Sequence, residues 1–481
     1  MSILSIYFLL FLLLSSLIFY ALPNKLKPLS ILAANIYFYI QFGLKHLPFL
    51  LFSIVSTFAG ALLIERLEKK SAKKAVLASV LFLNIGLLFY VKFTPYLLNL
   101  AQKVVTFDSS NILKTIIVPV GIAFYTLQLC GYIVDVYREK YVAERNFLKF
   151  AAFGTFFPLI LQGPISRYDQ LADQIYSKAK RENIYRNYTY GAQLMLWGFF
   201  KKLVVADRAA ILVNEVFGNY TSYSGLTVAL AVLFYTIQIY MDFSGCVDIC
   251  RGAAQLFGIN VIENFKQPYF ASSTQDFWRR WHIALSSWFR DYLYIPLGGN
   301  RMGAFRKYLN ILIVFFASGL WHGVGFHYIV WGLMQGLFQI VGAITLPLKK
   351  KICDKLMLDR TKGFLLLWQQ LITFCLINLS WLVFRANGTT AAIAMFKSIF
   401  TLQPVSLVNL TYLDLIIICV SLLIVFFVSY YKEKGFSVRD ELSKQVLPVR
   451  WSVFLILFAA VVLLGVYGPG YSDSSFIYMN F

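Results

Sequence analysis

Long apolar runs separated by short basic loops recur along the whole chain. They lie near residues 3–22, 29–45, 47–64, 75–99, 116–136, 186–200, 226–258, 308–322, 326–347, 364–384, 411–431 and 451–467. Most come close to the ~20 apolar residues that a helix needs to cross a hydrocarbon core. In lipid every backbone N–H and C=O must be satisfied within the spanning segment, which leaves helices for runs that lack strand alternation. The pattern therefore predicts an all-α polytopic membrane protein of about 11–12 transmembrane helices. The first run, "MSILSIYFLLFLLLSSLIFYAL", has no basic n-region and no small-x-small site before "PNKLKP". It reads as a retained first helix, not a secretory signal.

Three stretches break the pattern. "FLKFAAFGTFFPLILQG" (147–163) contains Pro158 and runs into Gly163-Pro164, so a segment that enters the membrane and returns is expected there, with a short span as the alternative. In "GFFKKLVVADR" (198–208) Lys201 and Lys202 stand against an apolar face, which suggests a helix at the membrane–water boundary. Phe265–Arg306 mixes Trp278, Trp281 and Trp288 with Arg279, Arg280 and Arg290, the composition of boundary helices, and Gly298-Gly299 should turn the chain before Asn300. Basic residues around Lys25 and Lys27, Arg66 to Lys74, and Arg138 to Lys149 assign those loops to the cytoplasm, with 43–46, 100–115 and the N-terminus outside.

Composition agrees with this picture, since 59% of the 481 residues are hydrophobic and 14% charged. No polar stretch could fold as a separate soluble domain. One transmembrane domain over 1–481 is expected, with N-terminal helices in 1–137, a core in 138–386 and C-terminal helices in 387–481. The net charge of +21 would suggest nucleic acid in a soluble protein. Here the cytoplasmic bias of Lys and Arg accounts for it, so no nucleic-acid partner is expected. Six cysteines lie mostly in apolar runs, and Cys246 and Cys250 have neither redox nor zinc spacing.

Only four histidines are present. Two fall in "FASGLWHGVGFHYIVWG" (316–332), and ionisable groups at membrane depth are costly enough to be functional candidates. His322 ends an apolar run, where it serves either as a catalytic base or as a packed imidazole bonded to a backbone carbonyl. His327, five residues on, would not share its helix face, and no metal site is expected. His282 lies in "FWRRWHIALSSWFRDYLYIP", and His46 reads as a residue of an outer turn. Asp242 and Asp248 in "QIYMDFSGCVDIC" sit inside an apolar run and must be paired or face water. Nucleophile-elbow, Walker, HExxH and zinc-cysteine patterns are missing.

Together these segments resemble the membrane-bound O-acyltransferase (MBOAT) superfamily, in particular its alginate O-acetylase-like bacterial branch. "VPVGIAFYTLQLCGYIVDVYR" (118–138), "FFPLILQGPISRY" (156–168), "WGFFKKLVVADR" (197–208), "FWRRWHIALSSWFRDYLYIPLGGNR" (277–301), "GLWHG" (319–323), "WLVFRA" (381–386) and the ending "FIYMNF" (476–481) follow the branch's order. Its usual DFSGYSD reads DFSGCVD here, which keeps both carboxylates, and Gln162 replaces a small residue.

The resemblance implies the MBOAT fold, with short interfacial and re-entrant helices among the spans, and makes His322 and His282 the catalytic pair. Trp278, Arg279, Arg280, Trp281, Asp242, Asp248, Trp321 and Asn300 become candidates for substrate binding. It also implies an acetyl-CoA donor with no bound cofactor, a polysaccharide acceptor and an extracytoplasmic SGNH-hydrolase-like acetyltransferase as partner. The setting would be multi-pass in the lipid of the bacterial cytoplasmic membrane. D-alanyl or other acyl transfer to an envelope polymer is the alternative within the class. A flippase using its histidines as proton relays, and a scaffold that anchors a secreted acetylase, are the rivals outside it, although no inverted repeat is visible.

Overall fold

Each of the twelve predicted spans falls on a helix in the computed structural model, which describes residues 1–102, 116–176, 183–405 and 409–467. The ending "FIYMNF" lies outside the described residues. Among the described residues eight helical spans are long and apolar enough to cross a membrane: Leu44–Arg66, Lys70–Ala101, Gly225–Leu256, Gly303–His322, Phe326–Lys355, Gly363–Arg385, Tyr412–Glu433 and Leu447–Leu464. Ile6–Ala21 and Ile122–Tyr137 are shorter apolar helices, and no strand occurs among the described residues. Apolar side chains cover much of the outside. Leu447–Leu464, for example, buries only Val461, a surface that is stable in lipid and not in water. The protein is an all-α, polytopic membrane protein.

The described chain forms two compact units, one of residues 1–195 and 247–262, the other of 196–246 and 263 onward. In the first, the suspected re-entrant stretch starts with the helix Phe147–Gly154, capped by the Asn146 side chain, and then breaks into buried turns over 156–163. Eight residues rise ~12 Å, too little to cross a bilayer. Such a break needs substitutes for its lost helical hydrogen bonds. Asn35, fully buried on Lys27–Ile40, supplies them: its Oδ1 accepts from Phe157 N at 2.9 Å, and its Nδ2 donates to Thr155 Oγ1 at 3.1 Å and Ala152 O at 3.4 Å. Gln128 donates to Phe153 O at 2.8 Å. Asn35→Leu should therefore strand the Phe157 amide and cost about 1–3 kcal/mol. A thermal midpoint in detergent equal to the wild type's would contradict this.

In the second unit, the stretch around Lys201 and Lys202 corrects the expectation of a boundary helix. Ile184–Phe199 continues through a π-helical segment, Phe200–Ala206, into Asp207–Gly218, and both lysines are buried, Lys202 to 2% exposure. Lys202 Nζ lies 2.7 Å from Asp207 Oδ1 and 2.5 Å from Asp242 Oδ1, and Lys201 Nζ donates to Ser244 Oγ at 3.0 Å. Local amphipathicity could not reveal this, because two of these three partners, Asp242 and Ser244, sit about forty positions away on Gly225–Leu256. Beside the cluster, Arg208 pairs with Asp414 at the start of Tyr412–Glu433 and donates to Leu464 O, at the end of Leu447–Leu464, at 2.5 Å. One guanidinium thus joins two C-terminal helices to the segment that carries the lysines.

Candidate functional site

His322 is the last residue of Gly303–His322, and the chain turns at Gly323 into Phe326–Lys355. The two helices meet almost backbone to backbone. A Cβ at Gly319 would lie 2.4 Å from Tyr328 O, one at Gly332 2.2 Å from Phe315 O, and one at Gly323 2.1 Å from the Tyr328 ring. Small residues at such contacts are how membrane helices approach closely without a hydrophobic driving force. The hairpin holds the imidazole of His322, 2% exposed, against Trp321 at 4.9 Å, Trp331 at 5.0 Å and Phe384 at 5.3 Å between ring centroids.

His282 joins two seven-residue helices, Thr274–Arg280 and Ile283–Phe289, at φ 45° and ψ 53°. The left-handed region costs a non-glycine residue roughly 1–2 kcal/mol, so the surroundings must impose it. Asn264 does so: its backbone O accepts from Ile283 N at 3.0 Å and its Oδ1 from Ala284 N at 2.9 Å, while Lys266 N donates to Arg280 O at 2.9 Å. The same Oδ1 lies 3.3 Å from His282 Nδ1. A carbonyl oxygen can only accept, so Nδ1 carries the proton and Nε2 keeps its lone pair. Burial to 1% exposure lowers the His282 pKa to about 3, which holds the ring neutral. Phe243 meets it edge-on at 4.8 Å, and Trp321 at 6.2 Å. The two histidines, forty residues apart in sequence, are thus brought to one tryptophan.

The other predicted site residues divide. Trp278 and Trp281 belong to the same aromatic wall, Trp278 at 5.9 Å from Trp331 and Trp281 at 5.2 Å from Trp381. Arg280 is engaged by Asp276 at 3.1 Å and Glu433 at 2.7 Å, so it braces the corner that carries His282, and Arg279 is exposed. Asp242 lies in the lysine cluster, and Asp248, on the other unit, lies 3.3 Å from Arg251. Asn300 is exposed and accepts from the Tyr294 hydroxyl at 2.5 Å. His327 packs on Tyr328 at 4.1 Å, and His46, expected in an outer turn, is buried at the start of Leu47–Arg66.

Sequence reasoning missed Asn264, Phe243, Trp331, Trp381 and Phe384 as residues around the two histidines. Trp381 and Phe384 stood in "WLVFRA", a segment noted only for likeness, and an apolar run hides any aromatic residue that faces inward. What the arrangement offers is a buried aromatic enclosure that holds two imidazoles, a residue type able to take and return a proton.

Residues 139–380, which contain both histidines, match MBOAT, the membrane-bound O-acyltransferase family. The chain is 34% identical over 416 residues to the peptidoglycan O-acetyltransferase of Helicobacter pylori, covering 81% of this chain and 76% of that protein. It is 33% identical over 394 residues to the probable alginate O-acetylase AlgI of Pseudomonas aeruginosa, covering 80% and 72%. With the teichoic acid D-alanyltransferase of Streptococcus thermophilus it shares 28% over 284 residues, 55% of this chain and 67% of that protein.

Proposed function

Since the chain belongs to the membrane-bound O-acyltransferase family and is an O-acyltransferase, we propose that it moves an acetyl group from acetyl-CoA toward hydroxyls of an extracytoplasmic polysaccharide. The observation that carries the reading is the placement of two buried histidines on one tryptophan inside an aromatic enclosure. His322 takes the proton of the attacking hydroxyl, and the thiolate that leaves the thioester recovers it. His282, its tautomer set by Asn264, orients the reactants through Nε2. The exposed Arg279 is suited to a phosphate of the donor.

Thioesters are made in the cytoplasm and envelope polysaccharides lie outside, so the enzyme sits in the bacterial cytoplasmic membrane and its site opens to both faces. An SGNH-hydrolase-like partner on the outer side completes the transfer. The names of the acetylating relatives support a polysaccharide acceptor. The lower-identity D-alanyl transferase supports a second reading, in which the acyl group is D-alanyl and the donor a carrier-bound thioester.

The test is release of free CoA thiol from acetyl-CoA by the purified protein in liposomes with no ion gradient, together with glycan mass spectrometry of a deletion strain. Turnover of acetyl-CoA and loss of O-acetyl groups in the deletion are expected. A protein that leaves acetyl-CoA intact but consumes a D-alanyl thioester would establish the second reading, and one that uses neither thioester would remove both.

A further inference from the structure

Trp278, Trp331 and Trp381 are three of the buried tryptophans around His322, and their indole N–H groups are treated unequally. Trp278 Nε1 donates to Gln335 Oε1 at 3.1 Å, and Gln335 Nε2 donates onward to Ser380 Oγ at 2.7 Å. Trp331 and Trp381 are each 0% exposed, and among the described residues their buried Nε1 atoms have no acceptor. Buried donors are normally satisfied, and the Gln335 side chain shows that this fold satisfies one a few ångströms away. These two indoles belong to one group of rings beside His322. Trp331 stands perpendicular to the His322 ring, Trp381 stacks on Trp331 at 5.8 Å and 18°, and Phe384 touches all three.

An indole is a donor only, so whatever completes these groups must bring an acceptor atom. The surroundings are aromatic and buried, which suits an uncharged carbonyl oxygen that gains charge during reaction. Resting on the acyl-transfer reading above, we propose that the indole N–H groups of Trp331 and Trp381 are the hydrogen-bond donors for the carbonyl oxygen of the acyl thioester. The acceptor hydroxyl oxygen bonds to the carbonyl carbon while its proton passes to His322. The C=O π pair moves to oxygen, where the indoles hold the oxyanion. The pair then returns, the C–S bond breaks with its electrons on sulfur, and the thiolate takes the proton from His322.

The experiment replaces each indole separately, in the full-length protein, with 3-benzothienylalanine, which keeps the bicyclic shape and substitutes sulfur for N–H. Turnover of acetyl-CoA in liposomes should fall about 100-fold at one or both positions, the effect of removing one oxyanion donor, with KM and thermal midpoint nearly unchanged. A second measurement reads the C=O stretch of a bound, unreactive ketone analogue of acetyl-CoA, red-shifted in the wild type and less so in the variants. Turnover within twofold of wild type at both positions, or an unchanged stretch, overturns the proposal. His322→Ala is assayed in parallel. Full activity there removes the underlying reading, whereas an inactive His322→Ala beside fully active indole replacements removes only this inference.

Discussion

His322→Ala is expected to lower acetyl transfer from acetyl-CoA by about 10²–10⁴-fold, the range that a positioned general base contributes. The ring ends a helix whose partner approaches to backbone contact at Gly319 and Gly332, so the hairpin should survive loss of one side chain. Alanine does open a cavity among Trp321, Trp331 and Phe384. His322→Gln fills most of that space without supplying a base of suitable pKa, and it should be as inactive as alanine while retaining the wild-type thermal midpoint. CoA release by purified protein and O-acetyl content of the glycan in cells read the same loss. Normal glycan acetylation by His322→Ala at normal protein levels would end the assignment.

Lys202→Met should be the most destabilising single substitution in the segment 198–208. Lys202 lies between Asp207 and Asp242, all three buried, and methionine would remove the ammonium that the two carboxylates share. Breaking a buried pair in this way costs about 3–5 kcal/mol, because the surviving charge keeps its desolvation penalty. Asp242→Asn should be milder, since Lys202 retains Asp207. The consequence reaches the site through Gly225–Leu256, where Asp242 meets Lys202, Ser244 meets Lys201, and Phe243 between them meets His282. Thermal midpoint and yield after detergent extraction test the order. A Lys202→Met protein as stable as Asp242→Asn would show that the cluster does not lock this helix.

Legibility in the sequence followed the range of the interaction concerned. Runs of apolar residues report a local need, burial of one segment in lipid, and each predicted span met a helix, although Lys27–Ile40 and Ile184–Phe199 are not among the helices long and apolar enough to cross a membrane. Pro158 and the short apolar run similarly exposed the break after Gly154. The lysines of 198–208 were misread because a window of neighbouring residues shows an amphipathic stripe, whereas the charges that make burial tolerable come partly from a distant helix. Asn35 was invisible for the same reason: it looks like any polar residue in a span until the Phe157 amide is seen against it.

For the site, sequence alone made His282 and His322 candidates, since ionisable groups are scarce in an apolar chain and the segments around these two resemble those of the family. It also determined the membrane class, because hydrocarbon thickness and backbone satisfaction are constraints on each run separately. Only the tertiary structure decided that both imidazoles meet Trp321, that Asn264 sets the tautomer of His282, and that Trp331, Trp381 and Phe384 close the enclosure. These are mostly pairings between separate segments of the chain, made by helix packing through glycine contacts and by side-chain hydrogen bonds. Hydropathy records that such residues are apolar or polar, and packing alone chooses which of them face one another.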